Sequence, residues 1–248
     1  MTIAVIFIFG IVFGSFITAV SYRLPKGADI IKRSSFCPDC GTSLQPIDLI
    51  PIFSWLFGRG KCRHCDEKIS ARYPIIEFIT ADIFVLIYLQ KGLTTDGYLI
   101  AALSIGLITA SVTDLENRII PNSIQLYMLF IGGIFVALLG DPYTHLLGAV
   151  IGLSLGLALY YGSIWILKKE ALGFGDVKFF AVAGLWTGNI DFFPFIAYAG
   201  IFGVIFGVAS RLITKNKEFP FVPALATGLF VCLLFPETVT YYWDIFSK

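Results

Sequence analysis

Eight apolar stretches, joined by mostly short polar connections, restrict what this 248-residue chain can fold into. They cover residues 3–20, 75–90, 98–113, 123–139, 145–167, 177–187, 192–213 and 221–243. Most run to roughly 15 to 23 residues, the length an α-helix needs to cross a hydrocarbon core, and only the sixth falls short. Because a backbone in lipid must satisfy its own hydrogen bonds, the expected fold is an all-α polytopic membrane protein of about eight transmembrane helices. With 57% hydrophobic and 14% charged residues and a mean hydropathy of +0.82, an ordinary soluble domain is ruled out. The net charge of +1 and the lack of any basic run interleaved with aromatics give no reason to expect nucleic acid; membrane lipid is the expected surrounding.

Orientation follows from the basic residues. With the N-terminus outside, the segments on the cytoplasmic side hold nine Lys and Arg in 21–74, one (Arg118) in 114–122, three in 168–178 and three in 211–219. That is sixteen of eighteen, with only Lys91 and Lys248 left outside, as the positive-inside rule requires. The first stretch has no basic residue before it and meets its first charge at Arg23, the pattern of an anchor rather than of a cleaved signal.

The one long polar segment, 21–74, carries Cys37-Pro-Asp-Cys40 and Cys62-Arg-His-Cys65, separated by 21 residues. Paired C-x2-C knuckles supply four thiolates to a tetrahedral zinc ion, and a loop facing the reducing cytoplasm needs a staple other than a disulfide. Disulfides or a redox pair are the alternative. Cys232, in the last stretch, reads as an inert apolar side chain. Gly10 and Gly14 in the first stretch, Gly148, Gly152 and Gly156 in the fifth, and Gly200, Gly203 and Gly207 in the seventh read as smooth helix faces for close packing. Glu77 begins an apolar helix and needs a partner, either Arg72 or a cationic ligand; Asp82, deeper in, reads as a helix–helix hydrogen bond.

Two carboxylates are costly at the ends of apolar runs without a task. Asp114 closes the third stretch and is followed by Pro121, which breaks the helix. Asp176 stands in Gly173-Phe174-Gly175-Asp176, at the mouth of the sixth. On the orientation above, both lie at the cytoplasmic face. Two carboxylates in a partly dry site cannot both ionise cheaply; one acts as base toward a water while the other polarises a carbonyl, which is chemistry for hydrolysing a peptide bond. Gly173 and Gly175 would let the chain take strained angles and let an extended substrate strand approach. Lys178 reads as a surface residue. The alternatives for the aspartates are helix capping and an ion pathway.

The Gly-x-Gly-Asp motif, Asp114 on an earlier helix, the Gly14-Ser15-Phe16 to Arg23-Leu24-Pro25 opening, the two cysteine knuckles and Ser70-Ala71-Arg72-Tyr73-Pro74 together resemble the bacterial prepilin peptidases, the type IV leader peptidase family, over nearly the whole chain and in the same order. The resemblance implies a membrane aspartyl protease that removes the short basic leader of prepilins or pseudopilins, with Asp114 and Asp176 as the catalytic pair and Gly173 and Gly175 as the substrate loop. It further implies N-methylation of the new N-terminus with S-adenosylmethionine, assigned to the N-terminal portion, residues 1–90, with residues 91–248 as the peptidase core. Arg72 and Glu77 are the cofactor-binding candidates, and Cys37, Cys40, Cys62 and Cys65 the metal set. The implied location is the bacterial cytoplasmic (inner) membrane, with the active site facing the cytoplasm. The family usually has asparagine where this chain has Thr18, which bears on methylation alone. A proton-coupled transporter using the same carboxylates and a zinc-bearing assembly scaffold are the rival functions.

Overall fold

A computed structural model describes residues 1–29, 35–170, 172–214 and 219–236. Lys32, Arg33, Lys215, Lys217 and Lys248 of the orientation count, and residues 237–243 of the eighth stretch, lie outside the described residues. The chain divides into two compact units, Met1–Gly92 and Leu93–Lys248.

In the first unit, α1 (Thr2–Arg23) and α3 (Arg72–Lys91) are the long apolar helices, and a short α2 (Phe53–Phe57) lies in the polar segment between them. Gly10 and Gly14 explain how α1 and α3 meet. A Cβ on either would stand 2.5 Å from the Cα of Ala81 or Glu77, so the two backbones approach as only glycine permits. The Arg72 guanidinium ties the start of α3 to the end of α1, donating to Thr18 O (3.3 Å) and Ser21 Oγ (2.7 Å). Asp82 is exposed on α3 and makes no helix–helix hydrogen bond among the described residues, contrary to expectation.

In the second unit, α4 (Thr95–Asn117), α5 (Asn122–Leu138), α6 (Pro142–Leu167), α7 (Phe174–Thr214) and α8 (Val222–Leu234) follow. Thr94 caps α4 by accepting from Gly97 N at 3.1 Å, and Asp141 caps α6 by accepting from Thr144 N at 3.0 Å, each satisfying an orphan amide of the first turn. Pro121 stands before α5, as expected of a helix breaker. Gly148, Gly152 and Gly156 of α6 lie against the α7 backbone at Gly184 and Gly188, at Phe180, and at Val177, so this stripe is a packing face. The α7 stripe differs. A Cβ on Gly203 or Gly207 would stand 3.0 or 3.2 Å from the ring of Phe221 or Phe219, and one on Gly200 would meet nothing within 4 Å among the described residues.

Five described helices are long and apolar enough to cross a bilayer, fewer than the eight crossings expected, for two reasons. α5 and the described part of α8 are shorter, at 17 and 13 residues. The sixth and seventh stretches fall within the single 41-residue α7, which is broken at Gly188 (φ 72°, ψ −174°). Phe180 and Phe195 flank that break with ring centroids 6.2 Å apart. In a straight helix, fifteen residues would separate them by about 22 Å, so the chain folds back on itself at the glycine.

Candidate active site

Asp114 lies in the last turns of α4 and is buried. Its Oδ2 accepts a hydrogen bond from Val222 N at 2.9 Å, at the first residue of α8. The Phe221 amide also reaches this carboxyl, and the charge of Arg118 acts on it. Arg118, in the left-handed conformation (φ 57°), ends α4 by donating its backbone N–H to Asp114 O. Asp114 therefore does for α8 what a capping side chain does from within a helix, but from a distant segment, where the exposed amides and the dipole favour an anion.

Asp176 is in the first turn of α7, half-buried. Its Oδ2 accepts from Gly173 N at 3.1 Å while its own amide donates to Gly173 O at 3.0 Å. That is the return half of a capping box, with the acid three residues after the cap. The alternative reading of the aspartates as caps is thus visible in both. Asp176 uses one oxygen for it, and its other accepts no hydrogen bond among the described residues, whereas the Asp114 carboxyl is held by two amides, those of Val222 and Phe221. The two carboxylates lie close enough for the charge of Asp114 to act on Asp176. The end of α4 and the beginnings of α7 and α8 thus carry two acids within electrostatic reach of each other.

Neither Gly173 nor Gly175 takes up left-handed angles, so the strain expected of them is absent. Their small size is used instead. A Cβ on Gly175 would press on Ile120 at 3.3 Å, and one on Gly173 would press on the Asp176 carboxylate at 3.3 Å. Two further residues hold this turn. Gln125, buried in the first turns of α5, donates Nε2 to Gly175 O at 2.8 Å. Lys178 donates to Asn122 Oδ1 at 2.7 Å, and its ammonium is 5.3 Å above the Phe174 ring, so it links elements rather than standing on the surface alone. Sequence reading misses Asn122 and Gln125 because nothing in their spacing marks them; an exposed amide eight residues after Asp114 and a buried one eleven after it are meaningful only once α5 is seen beside α7.

In the first unit, the sulfurs of Cys37, Cys40, Cys62 and Cys65 all lie within 4.8 Å of one another, and those of Cys37 and Cys65 are 4.0 Å apart. With metal–sulfur bonds of about 2.3 Å, tetrahedral geometry puts sulfurs about 3.8 Å apart, so the set fits a metal ion with little closure. The knuckles repeat each other at an offset of 25 residues. Cys37 N donates to Thr42 O and Gly41 N to Cys37 O, while Cys62 N donates to Glu67 O and Asp66 N to Cys62 O. Bridges Phe36–Ser43 and Lys61–Lys68 close them alike. Hydrogen bonding with the Thr42 side chain and backbone lowers the Cys40 thiol, and the His64 and Cys65 amides lower Cys62, while Cys37 and Cys65 are raised beside the neighbouring sulfurs, so the four thiols share their protons as one set.

Glu77 does not pair with Arg72. It is buried, accepts from Ile52 N at 2.6 Å and bonds the Ser15 side chain. Thr18, at the position where the family usually has asparagine, turns its hydroxyl onto Ser15 O at 2.7 Å.

Comparison with known proteins matches two family models, the bacterial peptidase A24 N-terminal domain over residues 8–91 and the type IV leader peptidase family over residues 101–208. A prepilin leader peptidase/N-methyltransferase of Bacillus subtilis (strain 168) is 32% identical over 97% of both chains. A type 4 prepilin-like proteins leader peptide-processing enzyme of Escherichia coli O78:H11 is 33% identical over 88% of both. A prepilin leader peptidase/N-methyltransferase of Neisseria gonorrhoeae is 30% identical over 89% of this chain and 86% of its own. No solved structure matches the chain.

Proposed function

The chain belongs to the type IV leader peptidase family, and from that premise we propose that Asp114 and Asp176 are the catalytic pair with which it cleaves prepilin-like precursors. The enzyme removes the leader and N-methylates the new N-terminus. The single observation that supports the site assignment is that two acids from helices far apart in sequence lie within electrostatic reach of each other, each anchored by a backbone amide. In that arrangement one carboxylate takes a proton from a water held between them as the water attacks the scissile carbonyl. The other, protonated, hydrogen-bonds the carbonyl oxygen as charge develops on it; the first carboxyl then passes the proton taken from water to the amine nitrogen as the C–N bond breaks. The anchoring bonds to Val222 N and Gly173 N fix both side chains, so little reorganisation is needed on reaction.

The substrate is a prepilin or pseudopilin whose basic leader stays in the cytoplasm while its apolar helix enters the bilayer. Its scissile bond then waits at the membrane surface, which is where helix-terminal acids would lie if the protein sits in the bacterial cytoplasmic membrane with this end inward. The metal of the four cysteines is zinc in this reading, since a closed all-thiolate set is a structural zinc site. S-adenosylmethionine is the proposed methyl donor. Arg72 and Glu77 do not fit as its direct contacts, because the guanidinium is held by Thr18 and Ser21 and the carboxylate by Ile52 and Ser15; no step is drawn through them.

The test is cleavage of a model precursor with a basic leader and a glycine before an apolar helix, by purified protein in membranes. Asp114→Asn and Asp176→Asn are each expected to abolish leader removal, a loss of at least about 10²–10⁴-fold, while the protein remains folded. Full cleavage by either variant defeats the assignment.

A further inference from the structure

Between the two knuckles runs Pro46-Ile-Asp-Leu-Ile-Pro-Ile-Phe-Ser-Trp-Leu-Phe57, an apolar insertion that a metal-stapled polar loop does not need. Ile47, Leu49, Ile50, Phe53, Leu56 and Phe57 are all exposed, Phe57 at 83%. Six exposed apolar side chains within twelve residues, with the rings of Phe53 and Phe57 stacked 6.3 Å apart, are of the kind that marks an interaction surface. Their exposure matches that of the outward residues of the neighbouring membrane helix, with Phe53 at 53% beside Ile75 at 53% and Phe78 at 51%.

The depth of the insertion is fixed by one bond. Ile52 N donates to Glu77 Oε2 at 2.6 Å, and Glu77 is five residues into α3, about 7.5 Å below the start of that helix. To make this bond Ile52 takes φ 61°, a strained angle for a β-branched residue, so the surrounding structure holds the insertion down against α3. Ile52, Pro74, Ile75, Phe78 and Ile79 then line one open, apolar hollow of about 300 Å³. The surface of the insertion is thereby continuous with the lipid-facing side of α3. The insertion is followed by the exposed bases Arg59, Lys61, Arg63 and Lys68, of which Arg63 also bridges to Asp48 at 3.2 Å.

We propose that residues 46–57 are an interfacial shelf, embedded in the bilayer alongside α3, whose partner is lipid. Acyl chains cover Phe53, Leu56 and Phe57, and anionic headgroups meet the bases at 59–68, the division of labour of a helix lying in the membrane surface. Because a knuckle leaves each end of the shelf, the four-cysteine centre is moored at headgroup level. This holds whether or not the two aspartates are catalytic.

The experiment places a small fluorescent non-natural amino acid at Phe57, or as a control at Lys68, in the full-length protein reconstituted in vesicles of phosphatidylcholine and phosphatidylglycerol. Quenching by lipid carrying a doxyl group near the headgroup end of its chain is compared with quenching by aqueous iodide. The shelf predicts doxyl quenching at position 57 at least about twofold stronger than at 68, and the reverse order for iodide. Equal iodide quenching at both positions overturns it in favour of a solvated loop; quenching by neither agent at 57 overturns it in favour of a protein cover. A photo-crosslinking residue at Leu56 gives a second reading that tolerates failure of the first label. Adducts with phospholipid support the shelf, and a crosslinked second copy of the chain as the only product overturns it.

Discussion

Gln125 is almost wholly buried, donates from Nε2 to Gly175 O, and its Oε1 has no hydrogen-bond partner among the described residues. A buried amide half-used in this way is tolerated where its other half fixes something that matters, here the turn that carries Asp176. Gln125→Leu keeps the volume and removes this second, interhelical hydrogen bond to the Gly175 carbonyl, at a cost of about 0.5–1.5 kcal/mol. If that carbonyl positions the acid, the cost falls on the reacting geometry: kcat for leader cleavage drops about tenfold or more while KM holds. A change confined to KM would show that Gln125 serves substrate binding instead. Asp114 and Asp176 were readable in the sequence because charge at the end of an apolar run is conspicuous. Gln125 and the Val222 amide were not, because a neutral amide and a backbone N–H acquire meaning only from what lies across from them.

Among the helices, the seam between α6 and α7 carries the clearest prediction. Glycine in an exposed helix interior costs about 1 kcal/mol relative to alanine, so Gly→Ala is stabilising where there is room. Gly133 on α5 has nothing within 4 Å of where a Cβ would stand, and Gly133→Ala should raise or leave unchanged the midpoint of thermal unfolding in detergent. At Gly184 the same Cβ would run into the Gly148 carbonyl, so Gly184→Ala should lower stability by about 1–3 kcal/mol as the helices are forced apart. Glycine periodicity announced this seam in the sequence. It did not distinguish Gly148, whose added Cβ would meet backbone, from Gly200, whose added Cβ would meet nothing among the described residues, since spacings of three and of four both place glycines on one helix face. The reversal at Gly188 was likewise hidden behind a gap of four residues between two apolar stretches, one of them too short to cross alone.

Taken together, the two compact units divide the candidate chemistry between them. Asp114, Asp176 and the residues that fix them belong to Leu93–Lys248, and all four knuckle cysteines to Met1–Gly92. A Cys62→Ser, Cys65→Ser variant should therefore lose the bound metal, about one zinc per chain by elemental analysis, and lose methylation, while leader cleavage remains measurable. Mass spectrometry of the processed N-terminus reads both outcomes, and concurrent loss of cleavage would show that the metal centre supports the peptidase too. For this chain the sequence alone determined the membrane class, the order of the apolar helices and the four cysteines that come together, and it singled out the two acids that we propose as the catalytic pair. Each of these is local, since hydropathy, C-x2-C spacing and a charge beside an apolar run are carried by residues adjacent in the chain. What only the tertiary structure decided is which groups from separate helices meet: Asp114 with the first amide of α8, Gln125 with Gly175, Ile52 with Glu77. Such pairings depend on how helix faces turn toward one another, and apolar helices that are hydrophobic all round encode that turning only weakly in their own sequence.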